Sequence, residues 1–235
     1  MTGKEKIEKL EAELAQLKEE AKSFSYIVSH DLRQPVRGMM NYVNFTLEDF
    51  EHELNSEVVD NLKQALKQYD RFDVMMDGML ELSRLNSYSK EKIRFNFEEI
   101  ANSVINEFLK EELFEFVING SASFIGDPIL ISTLFGKIIQ NSIVYNVEQE
   151  KNIEINISES VQEVCIVIRD NGIGINPKYS KEIFNVFSRL NGQFKFGSRS
   201  GTGLTIALKI MELHDGEIKF NNKEIGTEIE LVFNK

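Results

Sequence analysis

The chain has one cysteine, three prolines and no tryptophan among its 235 residues, and each scarcity excludes something. A single thiol can neither close an intrachain disulfide nor build a cysteine metal site. Cys165 lies in the apolar run VCIVI, where a small buried hydrophobe is expected. That usage fits a reducing cytoplasm. No stretch approaches the roughly 20 uninterrupted apolar residues of a membrane span. The N-terminus reads as a charged helix rather than a basic flank followed by an apolar core, so no secretory signal is expected. Basic side chains are also short: 27 Lys and Arg face 38 Asp and Glu, a net charge of -11. With no basic stripe to offset it, that balance argues against nucleic acid as a partner. The length suits two modest domains.

The scarcity of proline leaves room for one long helix from Lys4 to about Phe50, rich in Glu, Lys, Leu and Ala and interrupted only by Pro35. Ile7, Leu10, Leu14, Leu17, Ala21 and Phe24 alternate spacings of three and four, which makes the first part a coiled coil whose narrow seam needs a partner helix. Val28, Leu32 and Val36 then follow at intervals of four before Met39 and Val43 resume the alternation, an insertion that locally unwinds a supercoil. Continuing the earlier heptad would have placed Asp31 in the core; the shift instead turns His30 toward solvent. A polar connection at Glu53–Glu57 leads to a second amphipathic run through Leu62, Leu66, Tyr69, Phe72, Met76 and Met79. This is an αα-hairpin, and two copies packed as a four-helix bundle would bury both stripes, so a homodimer is expected.

The polar stretch from Asn86 to Lys92 reads as a linker, after which the periodicity changes. IRFNF, LFEFVI, IEINIS, VCIVIRD, GEIKF and TEIELVF have strand character, whereas EIANSVINEFL, DPILISTLFGKIIQNSIVYN and GTGLTIALKIMELH have helix character. The expected class is α+β in two domains, the helical hairpin followed by an α/β sandwich. The divisions are 1–23 for a coiled-coil signal helix, 24–88 for the hairpin and 89–235 for the sandwich. A long irregular segment from about Asn176 to Ser200 reads as a lid or binding loop.

Chemistry concentrates in two constellations. In HDLRQP, residues 30–35, an exposed histidine is followed by a carboxylate; an imidazole can act as a nucleophile while the acid orients the ring or takes its other proton. A lone surface histidine is also compatible with no role at all. In the α/β region, Asn141 offers a carboxamide oxygen to a hard cation or serves a structural hydrogen bond. Asp170 ends a buried strand with Gly172 and Gly174 behind it, so a carboxylate able to accept the exocyclic amine of adenine stands beside backbone that a flat ligand can approach. SRSGTGL, with Gly201 and Gly203, opens the last helix and leaves N–H groups free for phosphate oxygens. Thr227, after Gly226, can support Asp170 or the base.

In these segments the chain resembles the sensor histidine kinase family over almost its whole length. HDLRQP resembles the H box, IIQNSIVYN the N box, DNGIGI the G1 box, IFNVFSRL the F box, SRSGTGL the G2 box and GTEIEL the G3 box, in the family's order. The resemblance implies a dimerisation and histidine-phosphotransfer domain, then an ATP-binding domain of the type shared with type II topoisomerases and mismatch-repair ATPases. It implies ATP and Mg2+ as cofactors, His30 as phosphoacceptor, Asp31 as its acid/base partner, Asn141 as magnesium ligand and Asp170 as adenine reader. Tyr145 would pack on adenine, Phe184 and Phe187 would anchor the lid, and Arg189 and Leu204 would join the nucleotide contacts. It further implies an autophosphorylating kinase that passes its phosphoryl group to a response-regulator aspartate. An upstream sensor domain or protein would supply the signal.

Four positions depart from the family pattern. The N box usually begins with Asn and has Lys three residues after its magnesium Asn; here those positions are Lys137 and Val144. Lys137, Asn141 and Val144 share a helix face, so Lys137 is expected to supply the lost phosphate contact. Thr205 stands where the G2 box commonly has glycine, a change expected to alter lid closure. Gln34 replaces the Thr or Asn of relatives that also dephosphorylate their partner, which leaves phosphatase activity open. Two rival readings remain: a nucleotide-binding dimeric scaffold, and an ATPase clamp that does not need His30.

Overall fold

The computed structural model describes residues 3–86, 92–109, 114–148, 150–179, 182–188, 200–223 and 225–235. The chain divides into two compact units, one that holds the helices within residues 1–88 and a mixed one that holds the strands and helices within residues 89–196 and 201–235.

The helical unit is a hairpin of α1 (Gly3–Phe50) and α2 (Ser56–Asn86), and α1 runs on through Pro35. Polar cross-links set the register of the pair. Arg33 Nε lies 2.8 Å from Asp73 Oδ1 and its Nη2 2.6 Å from Asp77 Oδ1. Arg37 Nε donates to the Tyr69 hydroxyl at 3.3 Å, and Lys63 Nζ meets Glu51 Oε1 at 2.6 Å near the turn. Ile7, Leu10, Leu14, Leu17 and Phe24, the expected coiled-coil seam, are exposed along α1.

The mixed unit begins with β1 (Ile93–Asn96) and α3 (Phe97–Phe108), then β2 (Glu115–Asn119), β3 (Ser123–Gly126), α4 (Pro128–Val144), β4 (Asn152–Glu159) and β5 (Glu163–Asp170). Two 3₁₀ turns, Pro177–Tyr179 and Glu182–Phe184, lie in the segment expected to be irregular throughout. The chain closes with α5 (Gly203–Leu213), β6 (Glu217–Asn222) and β7 (Thr227–Asn234). The sheet order is β2-β4-β5-β7-β6, with β2 parallel to β4 and the other pairs antiparallel. Alternation decides which face is covered: Ile153, Ile155 and Ile157, Val164, Ile166 and Ile168, and Ile229, Leu231 and Phe233 are buried, while their neighbours along the strands are less so, except Glu228, which is buried on β7. Helices α3, α4 and α5 contribute Ala101, Ile105, Leu134, Ile138, Ile206 and Ile210 to the same core.

Two details differ from the sequence reading. Ser123–Gly126 is a strand, paired antiparallel with β1, and IRFNF stops one residue short. Asn96 is extended at φ -110 and its side chain accepts from the Glu98 N–H, which caps α3 and makes Phe97 its first residue. Phe97 then turns inward, where it is fully buried with its ring centroid 4.9 Å from Phe233 and 5.7 Å from Phe124. Among the described residues no helix is long and apolar enough to cross a membrane.

Candidate functional site

On α1, helical spacing places Tyr26, His30 and Gln34 one turn apart along one side. The His30 ring is exposed, with Nδ1 at 3.0 Å from Asp31 Oδ1 and Nε2 at 3.4 Å from Gln34 Nε2. The Tyr26 ring stacks on it nearly parallel, 12° between planes and 6.3 Å between centroids. With Nδ1–H donating to Asp31, the lone pair lies on Nε2, the nitrogen directed away from that carboxylate. The sequence reading of this triplet therefore meets in one place; Tyr26 it missed, because an aromatic four residues before a histidine carries no signal until the helix is built.

In the mixed unit the strand ladder does the assembling. Asp170 is the last residue of β5 and pairs in register with Thr227, the first of β7, so segments 57 residues apart meet at the end of the sheet. Asp170 Oδ1 accepts from the Gly172 N–H at 3.0 Å and the Thr227 N–H at 3.1 Å, while Oδ2 accepts from the Ser142 hydroxyl of α4 at 2.9 Å. Burial pushes this carboxyl above its ordinary value, against the opposing pull of the donors Gly172, Ser142 and Thr227. A carboxylate held this way is oriented but under-solvated, and retains acceptor capacity for a ligand N–H. Gly226 makes the approach possible: at φ +76, a β-carbon there would sit 1.7 Å from the Asp170 carbonyl oxygen.

Around Asp170 the loop that follows β5 is tied to the end of α4. Ile173 N donates to the carbonyl of Tyr145, the C-cap of α4, at 3.0 Å, and a β-carbon on Gly172 would lie 2.7 Å from the same oxygen. Asn171 Oδ1 accepts from Asn146 Nδ2 at 2.6 Å and from the Asn152 N–H at 2.8 Å. Gly172, Ile173, Gly174, Asn176, Lys223 and Gly226 line part of a cavity of about 410 Å³. Lys137, Asn141 and Tyr145 are half-buried at successive turns of α4. A β-carbon on Gly203, the first residue of α5, would stand 3.7 Å from Asn141 Nδ2, so the start of α5, with Leu204 in its first turn and Gly201 just before it, faces the Asn141 carboxamide. Arg189 lies outside the described residues. Among the described residues no group of three or more His, Cys, Asp or Glu could hold a metal. Ser142, Asn146 and Asn171 were missed by motif reasoning, since their partners are 28, 25 and 19 residues away.

Comparison with known proteins accounts for this arrangement. Residues 20–87 match the His Kinase A (phospho-acceptor) domain and residues 126–235 the histidine kinase-, DNA gyrase B- and HSP90-like ATPase. Cyanobacterial phytochrome B of Nostoc sp. (strain PCC 7120) is 34% identical over 91% of this chain and 29% of its own length. The sensor protein kinase WalK of Staphylococcus haemolyticus is 29% identical over 92% of this chain and 37% of its own. The chain thus spans about three-tenths of the phytochromes it matches. In fold it is similar to the histidine kinase ThkA, solved in complex with the response regulator protein TrrA, with TM-score 0.64 and 19% identity over 96% of this chain and 66% of that one. It is likewise similar to the Acinetobacter baumannii histidine kinase AdeS, with TM-score 0.62 and 17% identity over 87% of this chain and 97% of that one. A phospho-acceptor domain on a helical hairpin, followed by an ATPase-type sheet domain, makes the chain a member of the sensor histidine kinases, of which it holds the catalytic core.

Proposed function

We propose that the chain uses ATP to phosphorylate its own His30 and passes the phosphoryl group to an aspartate on a response-regulator receiver domain. The observation that carries this reading is the exposed imidazole with Asp31 at Nδ1, which leaves Nε2 as the nucleophile. Nε2 attacks the γ-phosphorus as the bond to the bridging oxygen breaks and ADP departs; Asp31 offsets the positive charge that develops on the ring and can take the Nδ1 proton. The aspartate carboxylate of the regulator then displaces the imidazole. Gln34, within reach of Nε2, is the residue that would orient a water if the core also dephosphorylates its partner.

In the sheet unit, Asp170 accepts the adenine amine, Thr227 and Ser142 hold Asp170 in place, and Gly172 and Gly174 let the base approach. Tyr145 packs on the base, and the N–H groups at Gly203 and Leu204 after Gly201 meet phosphate oxygens. The site fits Mg2+ through one carboxamide: Asn141 is the ligand, and a small hard cation that keeps water and phosphate oxygens needs no acidic cage. When bound, that ion neutralises charge on the phosphates. Lys137, one turn before Asn141, supplies the basic group that Val144 lacks. Arg189 adds to the nucleotide contacts.

The chain works as a homodimer, with 1–23 as a signal helix, 24–88 as the dimerisation and phosphotransfer domain and 89–235 as the ATP-binding domain, in the cytoplasm and under an upstream sensor. Support for the dimer comes from the exposed apolar seam of α1. The test is to incubate the protein with magnesium and γ-labelled ATP. Acid-labile, alkali-stable label in the wild type and none in His30→Gln is the expected result; no label despite ATP binding would replace the kinase with a scaffold.

A further inference from the structure

Thr205 stands in the first turn of α5, and its hydroxyl has a choice of partners. A helical threonine often turns back to a carbonyl of the preceding turn. Here Oγ1 donates instead to the Phe184 carbonyl, 21 residues away, at 2.9 Å in a half-buried setting. Phe184 ends the 3₁₀ turn Glu182–Phe184, so its carbonyl is one of those that a helix terminus leaves without an internal partner. Thr205 satisfies it.

A second contact lies close by. Gly201 has φ +70, and a β-carbon there would be 2.9 Å from both the Phe187 carbonyl carbon and the Ser188 oxygen. Phe187 itself sits at φ 63, a left-handed conformation that is unfavourable for a non-glycine residue and persists only where its surroundings hold it. Segment 182–188 is therefore pinned to the chain around α5 twice, by backbone packing at Gly201 and by the Thr205 hydroxyl. Gly203, between those two points, faces Asn141.

We propose that Thr205 is a positioning residue for nucleotide retention: its hydroxyl fastens segment 182–188 to the turn of α5 that meets the phosphates, in a manner a glycine there cannot. The proposal rests on the nucleotide site described above. It assigns Thr205 to holding the bound nucleotide, not to the attack of His30.

The experiment measures Kd and dissociation rate for a fluorescent N-methylanthraniloyl ATP with magnesium on the wild type, Thr205→Ser, Thr205→Val and Thr205→Gly, together with the labelling rate of His30 at saturating ATP. Loss of one half-buried hydrogen bond gives about a fivefold weaker Kd and correspondingly faster release in the Val and Gly variants, with near wild-type behaviour in Ser. The labelling rate at saturating ATP stays within about twofold of wild type. Valine keeps the shape of threonine, so an effect shared by Val and Gly but absent in Ser separates the hydroxyl from packing. Wild-type affinity and release in Thr205→Val, a Ser variant as impaired as Val, or a loss confined to the saturated rate would each overturn the tether while leaving the site intact. A wild type that binds no nucleotide would remove the site and the tether together.

Discussion

The two units solve the same problem, covering apolar surface, in opposite ways. In the sheet unit Phe97, Phe135, Ile155, Ile166, Leu231 and Phe233 are all but completely inaccessible. On the hairpin, Leu17 is 62% and Phe24 64% exposed. A five-stranded sheet with three helices on one face closes a core within one chain, whereas two helices present stripes that only more helices can cover. The first unit should be as stable in dilute as in concentrated solution. The second should depend on concentration.

That contrast can be broken most severely at Phe97. Its ring touches those of Phe95, Phe124, Phe135 and Phe233, and Phe97→Ala should cost about 3–5 kcal/mol in the sheet unit. Denaturant melts followed by circular dichroism should then show the sheet unit lost first, at a midpoint that does not move with protein concentration. A shift confined to the hairpin would contradict the division.

Asp170→Asn separates stability from function within the sheet unit. The amide oxygen can keep the two backbone donors and the Ser142 hydroxyl can turn to accept, but the acceptor for the adenine amine is lost, so nucleotide affinity should fall about 100-fold. Because burial raises the carboxyl's folded value, its contribution to stability is full below the unfolded value and is lost as pH rises through the folded one. The variant should therefore melt higher than wild type at neutral pH, and the difference should vanish below about pH 4. Equal melting at pH 7 would remove burial as the cause.

At the seam, Leu17→Ala should weaken self-association by about 1–2 kcal/mol and make the hairpin melt concentration-dependent over a wider range, without touching the sheet unit. Analytical ultracentrifugation of the two proteins reads this directly, and an unchanged dissociation constant would mean the seam is not an interface. The smallest effect is expected at Glu228, which is buried beside Arg169 and 3.1 Å from Lys223 Nζ. Burial alone would push its carboxyl up, but hydrogen bonds from Arg169, Lys223 and Asn221 hold it below the ordinary range. Its contribution is present at neutral pH and lost as pH falls below about 4, so the acid side of the stability curve should flatten by about 1 kcal/mol in Glu228→Gln.

What could be read beforehand follows a pattern set by distance along the chain. Both hairpin helices, α4, α5 and the long strands declare themselves by period, because periodicity is written in residues a few places apart. The strand Ser123–Gly126 did not, since four residues beside a glycine carry too little alternation and its existence depends on β1, thirty residues earlier. Phe97 was read as strand because its apolar side chain outweighed the Asn96 cap that starts the helix. His214 gave no signal at all: buried, it accepts the Asp127 N–H at Nε2 across 87 residues, which leaves Nδ1–H for the Ile210 carbonyl.

The sequence alone determined the types of the longer elements, the order of the six boxes, the exposed His30 and the acid beside it, since each rests on local spacing or on side-chain chemistry that folding does not alter. Tertiary structure decided the rest. Pairing of β5 with β7 brings Thr227 to Asp170, α4 lays Ser142 on the same carboxylate, α2 sets Asp73 and Asp77 against Arg33, and α5 turns Thr205 toward Phe184. These contacts join residues 21 to 57 positions apart. Their geometry comes from core packing and sheet register, which no local window of the chain contains.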